Sequence, residues 1–313
     1  MQGLYDFWKR LSELWGKDEP KVAPMPIIVG AARSGTTLLR FMLDSHSELA
    51  IPPETAFLPD LTKIDPASKN WHELALQCLT QTPLVAPTWP DFQIPIEAMR
   101  SVLDCVPRGD AGEVARQFYR LYASRFGKKR YGDKTPAYCR SMQAIEKLLP
   151  EVAFIHLIRD GRDVACSLRP LWFSPGQDWK VLAQRWCDDV NQARHSGSNC
   201  KRYLEIQYET LLDSPEPTLR KICEHVKLPF EPNMLNYFDR APQRLEEHQG
   251  RSREGGEEWL SQKQRQAQQW RTTQPLDRSR VGAWKAVMSQ TEHAQFCEVA
   301  GNLLTTLGYQ DVV

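Results

Sequence analysis

The stretch PIIVGAARSGTTLL, residues 26–39, decides the fold. A short apolar run ends at Val29, a loop bounded by Gly30 and Gly35 follows, and an apolar helical pattern begins at about Leu38. A loop placed in this way between a strand and a helix points successive backbone N–H groups, and the positive end of the helix, at a phosphate group. The stretch therefore predicts an anion-binding loop at the end of a buried strand.

The spacing of this loop equals that of the GxxxxGK[ST] pattern of nucleotide triphosphatases, but Thr36 stands in place of the lysine. That lysine reaches the β- and γ-phosphates in phosphoryl transfer, so its replacement disfavours ATP hydrolysis. Arg33 instead supplies a fixed positive charge within the loop. We expect Arg33, Ser34, Gly35, Thr36 and Thr37 to bind the phosphate groups of a donor. The alternative is a Gly- and Thr-rich turn that only connects a strand to a helix.

Three segments have the pattern of a buried strand followed directly by a helix: Pro26–Gly30, Ala153–Ile158 and Tyr203–Tyr208. This alternation indicates βαβ units and hence an α/β fold with a P-loop-type parallel β-sheet flanked by helices. Ligands of open parallel sheets bind at the carboxyl ends of the strands. The residues just after these three strands should therefore lie together at one edge of the sheet.

The rest of the chain is organised around this core. Residues 21–313 are expected to form a single domain, with a helical cap insertion around 58–127 and a lid-like segment around 239–275, of which Arg251–Gly256 looks mobile. Residues 1–20 form an amphipathic helical pattern. That helix could contact a membrane surface peripherally, but packing on its own domain or on another subunit is favoured, because terminal apolar stripes usually serve packing.

Composition excludes several classes of function. The 40 basic and 39 acidic side chains give a formal charge of +1, without the broad positive field of nucleic-acid binding proteins, so no nucleic-acid partner is expected. The eight cysteines form no CxxC pair and no zinc-ligand spacing, and no metal site is expected. No apolar run approaches the roughly 20 residues of a membrane span, and no signal-peptide pattern is present. These features predict a cytoplasmic protein.

A second motif extends the interpretation of the loop. The stretch FIHLIRDGRDVACSL, residues 154–168, together with the loop, resembles the donor-binding elements of sulfotransferases that use 3′-phosphoadenosine 5′-phosphosulfate (PAPS). The resemblance implies that Arg159 and Ser167 bind the 3′-phosphate of PAPS, and that adenosine 3′,5′-bisphosphate (PAP) is the product. The alternative for Arg159–Asp160 is a surface turn with a local ion pair.

Two further segments are similar to the same family. The stretch QYETL, residues 207–211, resembles a family segment in which the tyrosine lies near the nucleotide, here Tyr208. The stretch RSRVGAWK, residues 278–285, resembles the C-terminal loop that closes over the 3′-phosphate. Either Arg278 or Arg280 would make that contact.

The resemblance is to the subgroup of tyrosylprotein sulfotransferases and many bacterial enzymes, through LRFMLDSH at 39–46 and PPET at 52–55. It implies that Glu54 is the catalytic base and that Lys134 contacts the transferring sulfuryl group at the leaving bridge oxygen, with Arg33 alongside. The alternatives are that Glu54 caps a short helix from Thr55 and that Lys134 is exposed to solvent.

Histidine is the usual alternative base, and His46, His72 and His156 are the candidates, with His72 kept in reserve.

The resemblance implies in-line transfer of a sulfuryl group from PAPS to a small-molecule or carrier-bound hydroxyl acceptor. The tyrosylprotein enzymes are Golgi membrane proteins, whereas this sequence shows no anchor, so protein tyrosine is not the expected acceptor. A P-loop kinase or NTPase is one alternative, for which Asp160 and Asp163 could hold a metal. A non-catalytic nucleotide-binding scaffold is another.

Overall fold

A parallel β-sheet stands at the centre of the fold. The computed structural model describes residues 23–252 and 258–311, so the predicted helix of residues 1–20 lies outside the described residues. The strands in these ranges are β1 (Met25–Val29), β2 (Leu49–Ala50), β3 (Arg130–Tyr131), β4 (Asp133–Lys134), β5 (Val152–Ile158), β6 (Tyr203–Gln207), β7 (Arg251–Ser252) and β8 (Glu258–Leu260). The central sheet has the order β4-β1-β5-β6, and each pair of adjacent strands in it is parallel.

The described helices flank this sheet. They are α1 (Thr36–Asp44), α2 (Leu58–Leu61), α3 (Trp71–Gln81), α4 (Trp89–Phe92), α5 (Ile96–Leu103), α6 (Ala111–Ser124), α7 (Met142–Leu148), α8 (Gly161–Leu168), α9 (Trp179–Gly197), α10 (Tyr208–Asp213), α11 (Pro215–His225), α12 (Ala241–Leu245), α13 (Gln262–Gln269), α14 (Trp284–Val287) and α15 (Gln290–Thr306). Short 3-10 helices lie at Pro136–Arg140, Pro232–Met234, Tyr237–Asp239 and Trp270–Thr273.

The α/β fold predicted from the sequence is confirmed. The predicted strands differ from β1 by one residue at both ends and from β5 and β6 by one residue at one end. Gly30 leaves the first strand because its φ of 151° turns the chain into the loop. Tyr208 does not end the third strand but begins α10. The edge strand β4 was not predicted, since two residues carry no periodic signal.

Side chains of the sheet alternate between two cores. On β1, Ile27 packs among the helices of the cap region, whereas Ile28 packs with α1, α10 and α11. On β5, Phe154 packs in the same core as Ile27, and Ile155 packs in the same core as Ile28. The cap therefore shares one continuous core with a face of the sheet, and edge-to-face aromatic contacts such as Phe57–Phe118, 4.9 Å between centroids, extend that core.

The 239–275 segment is joined to the rest of the protein by buried ion pairs. Arg244 in α12 donates to both carboxylate oxygens of Asp44 at 2.7 and 2.9 Å, and Glu247 accepts from Arg40 at 3.0 Å. Arg251 is also buried. Residues 253–256 of the Arg251–Gly256 stretch lie outside the described residues, and its mobility stays a prediction.

In the described ranges, 23–252 and 258–311, none of the helices has the combination of length and apolar character needed to cross a membrane.

Candidate active site

The phosphate loop adopts a backbone that only particular residues tolerate. Arg33 has a φ of 71° and Gly35 a φ of 93°, and α1 begins directly after them at Thr36. A Cβ atom at Gly35 would lie 2.5 Å from the Tyr208 ring, so a glycine is required for the close approach as well as for the turn. The loop is thus packed directly against the first residue of α10.

Two buried polar atoms beside the loop lack a hydrogen-bond partner within the described residues: Ser34 Oγ and Arg159 Nε. Buried polar groups are nearly always paired, and an unpaired one is unfavourable unless a ligand or water satisfies it. Both atoms belong to residues that the sequence assigns to donor binding. Arg159 lines the cavity described below, so its Nε is an atom that a phosphate-bearing ligand there would satisfy.

Arg33 and Arg159 bring positive charge to the loop from two strands. The Arg33 side chain donates from Nε to Ser167 Oγ at 3.1 Å. Arg159 donates to the Arg33 carbonyl at 3.2 Å and to the Arg280 carbonyl at 2.7 Å, and its guanidinium lies 4.7 Å from the centroid of the Tyr208 ring. Burial, followed by the nearby Arg159, lowers the pKa of Arg33. The accumulated charge favours an anion here.

The segment that follows Arg278 is fixed by a carboxylate of α8. Asp163 accepts from the backbone N–H of Gly282 at 2.8 Å and from that of Trp284 at 2.9 Å. Burial raises the pKa of Asp163. This attachment brings Arg280 to the cavity, whereas the Arg278 side chain is 62% exposed and is ion-paired elsewhere, with Asp213.

Glu54 and Lys134 form an ion pair of 2.6 Å at the end of β4. Two hydrogen bonds of Thr55 hold Glu54 in place: its N–H donates to Thr135 Oγ1 at 3.0 Å, and its hydroxyl donates to Asp133 at 2.7 Å. The Lys134 side chain is 3% exposed and that of Glu54 is 51% exposed. Burial lowers the pKa of Lys134, and Glu54 opposes this change.

These contacts exclude two of the alternatives left open by the sequence. Lys134 is not a solvent-exposed lysine, since it is buried against Glu54. Glu54 does not cap a helix at Thr55, because the first helix after it begins only at Leu58.

One cavity of about 560 Å³ joins the loop and the ion pair. Its walls include most of the residues predicted from the sequence: Arg33, Gly35, Thr36, Thr37, Glu54, Lys134, Arg159, Ser167, Tyr208 and Arg280. Ser34 and Arg278 are not among the residues that line it. The residues that follow β1, β5 and β6 do lie together at one edge of the sheet, as expected for a parallel sheet.

The three histidines proposed as alternative bases do not line this cavity in the described part of the chain. The His46 and His72 rings lie 2.9 and 2.8 Å from the carbonyl oxygens of Pro229 and Val106. His156 lies 2.6 Å from the Tyr203 hydroxyl, and burial lowers its pKa to about 3.

Sequence reasoning missed a further group of polar residues that line the cavity. His248, Arg251 and Arg265 all line it. Both arginines direct their two terminal nitrogens at the buried Asp91, with Arg265 at 2.8 Å from each carboxylate oxygen. Burial and the neighbouring Arg265 lower the pKa of His248 well below its usual value. No motif marks these residues. Asp91 lies in the cap region, and His248, Arg251 and Arg265 lie in the 239–275 segment.

A protein-family model described as "Sulfotransferase family" matches residues 24–232, which is two thirds of the chain. The chain belongs to the sulfotransferase family. The matched range contains the phosphate loop, Glu54, Lys134, Arg159 and Tyr208, whereas Arg280 and the 239–275 segment lie beyond it. The resemblance stated from the sequence motifs is thereby confirmed.

Among curated sulfotransferase relatives, protein-tyrosine sulfotransferase A of Caenorhabditis elegans is 23% identical over 242 residues, which cover 69% of this chain and 53% of that protein. Nodulation protein NoeE of Sinorhizobium fredii is 31% identical over 164 residues, covering 49% of this chain and 34% of that protein. The chain thus matches about half or less of the length of these relatives.

Two solved sulfotransferase domains share the fold. The domain from the curacin biosynthetic pathway has a TM-score of 0.59 at 20% identity, with 93% of this chain and 99% of that domain covered. The domain from the Synechococcus PCC 7002 olefin synthase has a TM-score of 0.57 at 19% identity, with 94% and 98% covered. At this identity the likeness concerns the fold alone.

Proposed function

We propose that this sulfotransferase moves a sulfuryl group from PAPS to a hydroxyl acceptor. The observation that carries the proposal is a phosphate loop without a lysine that shares one cavity with a second anion-binding position at Arg159 and Ser167. A donor with phosphate groups at both its 3′ and 5′ positions needs two such positions. A donor with a single phosphate chain needs only one.

The residues present fit this donor. The loop backbone from Arg33 to Thr37 would hold the 5′-phosphosulfate. Arg159, Ser167 and Arg280 would hold the 3′-phosphate. Tyr208 lies beside Gly35, where a nucleotide would meet the loop. When bound, PAPS supplies the sulfuryl group and leaves as PAP.

The remaining groups supply charge and a proton acceptor. Lys134 and Arg33 would stabilise the negative charge that develops on the bridge oxygen. The acceptor hydroxyl oxygen forms a bond to sulfur as the bond between sulfur and the bridging phosphate oxygen breaks, and the hydroxyl proton passes to Glu54. The products are a sulfate ester and PAP. The pairing of Glu54 with Lys134 keeps the proton acceptor and the cation on the same side of the cavity.

The kinase alternative would use Asp160 or Asp163 as a metal ligand, but both carboxylates are engaged in other contacts. Asp160 accepts from the backbone and the side chain of Arg162, and Asp163 holds the backbone of Gly282 and Trp284. These contacts support sulfuryl transfer over phosphoryl transfer. A cytoplasmic location and contacts through residues 1–20 stay predictions.

The test offers the protein two labelled donors in parallel, each with fractionated cell extract. We expect ³⁵S from labelled PAPS to appear on an extractable acceptor, with loss of transfer in Arg33→Ala. Transfer of ³²P from γ-labelled ATP, or metal-dependent ATP turnover, would establish the kinase alternative instead. Binding of PAP without transfer to any fraction would support the scaffold.

A further inference from the structure

Exposed apolar side chains are concentrated around the cavity mouth. Of the nine large apolar side chains exposed in residues 23–252 and 258–311, six lie there: Leu84, Val85, Trp172, Phe173, Trp270 and Val287. The last four line the cavity, and the first two lie between Pro83 and Ala86, which also line it. Leu84 and Val85 are 83% and 77% exposed. A cluster of this kind marks a surface that meets an apolar ligand.

The cap part of this cluster lies beside the reacting groups. Thr88 Oγ1 donates to the carbonyl of Thr55 at 3.2 Å, so the segment from Pro83 to Thr88 runs next to Glu54. A molecule that presents its hydroxyl to Glu54 would therefore lie near this segment. Leu84 and Val85 are the exposed part of the segment.

Another wall of the cavity is aromatic. Trp172 and Phe173 form an edge-to-face pair with centroids 5.2 Å apart. Trp172 also meets Trp259 of β8 edge-to-face at 4.2 Å, next to Leu260, which lines the cavity. This contact joins the loop after α8 to the 239–275 segment. The two walls are thus both apolar where they reach solvent.

The cations of Arg251 and Arg265 are paired within the protein. All four of their terminal nitrogens are within hydrogen-bond distance of Asp91. These two arginines therefore do not require an anionic acceptor.

We propose that the acceptor is an alcohol carried on a long apolar chain, with its hydroxyl at Glu54 and its chain between Leu84–Val85 and Trp172–Phe173. The inference rests on the proposed function and names its substrate class. The hydroxyl oxygen bonds to sulfur, the sulfur–oxygen bond to PAP breaks, the proton goes to Glu54, and the product is an alkyl sulfate ester. A free chain and a chain tethered at its far end would use the same walls.

The test measures kcat/KM for ³⁵S transfer from PAPS to straight-chain alcohols of increasing length. We expect kcat/KM to rise by up to about fourfold per added methylene while the chain contacts the walls, which corresponds to about 0.8 kcal/mol per methylene. The double variant Leu84→Ser, Val85→Ser should lower kcat/KM for the longest alcohols by about tenfold and so flatten the dependence on chain length. Ile96→Ser, a matched change at an exposed apolar residue away from the cavity, should leave it unchanged.

A 12-hydroxyacyl thioester compared with the free alcohol of the same length distinguishes a tethered source from a free one. A kcat/KM that is independent of chain length, or higher for sugars than for long alcohols, would overturn the inference. If ³⁵S reaches other acceptors in extract while long alcohols fail, the substrate class is wrong and the proposed function stands. If PAP does not bind and ³⁵S reaches no acceptor, the proposed function is wrong, and the inference about the acceptor is wrong with it.

Discussion

Replacing Arg159 with alanine should remove most of the affinity for PAP while leaving the affinity for AMP, which lacks the 3′-phosphate, nearly unchanged. Arg159 is 7% exposed, and its Nε has no partner within the described residues. Its terminal nitrogens reach the carbonyls of Arg33 and Arg280, and one of them lies 3.8 Å from a carboxylate oxygen of Asp163. A phosphate that contacts Nε would give this buried cation a closer anionic partner.

The size of the effect follows from this burial. Truncating one partner of a buried, hydrogen-bonded charge pair costs about 3–5 kcal/mol. The dissociation constant for PAP should therefore rise by about 10²- to 10⁴-fold. The affinity for AMP should fall by less than about threefold, since AMP has no phosphate group at this position.

Isothermal titration calorimetry of both nucleotides, on the wild type and on Arg159→Ala, measures this difference, and thermal unfolding without nucleotide reports whether the loop and fold survive. Arg278→Ala is the matched control, because Arg278 lies in the same C-terminal segment but is 62% exposed and paired with Asp213. An equal loss for PAP and AMP would mean that Arg159 supports the loop backbone and not the 3′-phosphate. An Arg278→Ala loss as large as that of Arg159→Ala would refute the assignment of the segment.

Four further substitutions test the catalytic base, the loop and a buried carboxyl group. Glu54→Gln should reduce kcat for sulfuryl transfer by about 10²- to 10⁴-fold and keep the affinity for PAP. His248→Asn should retain most of the wild-type kcat. A larger loss of kcat in His248→Asn than in Glu54→Gln would identify His248 as the base. Gly35→Ala should abolish PAP binding in calorimetry, because its Cβ would lie 2.5 Å from the Tyr208 ring; unchanged binding would show that the ring is free to move. Burial raises the pKa of Asp133 from 3.8 to about 6, so this group stabilises the folded state at low pH and loses that contribution as the pH rises through 6. Denaturant unfolding should therefore show the wild type gaining about 1.4 kcal/mol relative to Asp133→Asn between about pH 7.5 and pH 5, and a pH-independent difference would contradict the shift.

Local patterns were sufficient to predict the core of this fold. The apolar run before Gly30 and the one before Arg159 each become a central strand, because a strand buried on both faces needs apolar residues without interruption. The loop between Gly30 and Thr37 was predictable for the same reason that it forms: its glycines allow the turn, and the helix that follows is apolar.

Other parts depend on contacts between distant segments, and no local pattern records these. Asp91 accepts from Arg251 and Arg265, which lie 160 and 174 positions further along the chain, so neither arginine could be assigned to the cavity from the sequence. The choice between Arg278 and Arg280 likewise follows from the attachment of their segment to Asp163.

A crystal structure of the protein with PAP would test the position of the donor most directly. We expect the 5′-phosphate on the backbone N–H groups at Gly35–Thr37 and the 3′-phosphate in contact with Arg159 and Ser167. PAP bound in the reverse orientation, or outside the cavity that these residues line, would contradict this expectation.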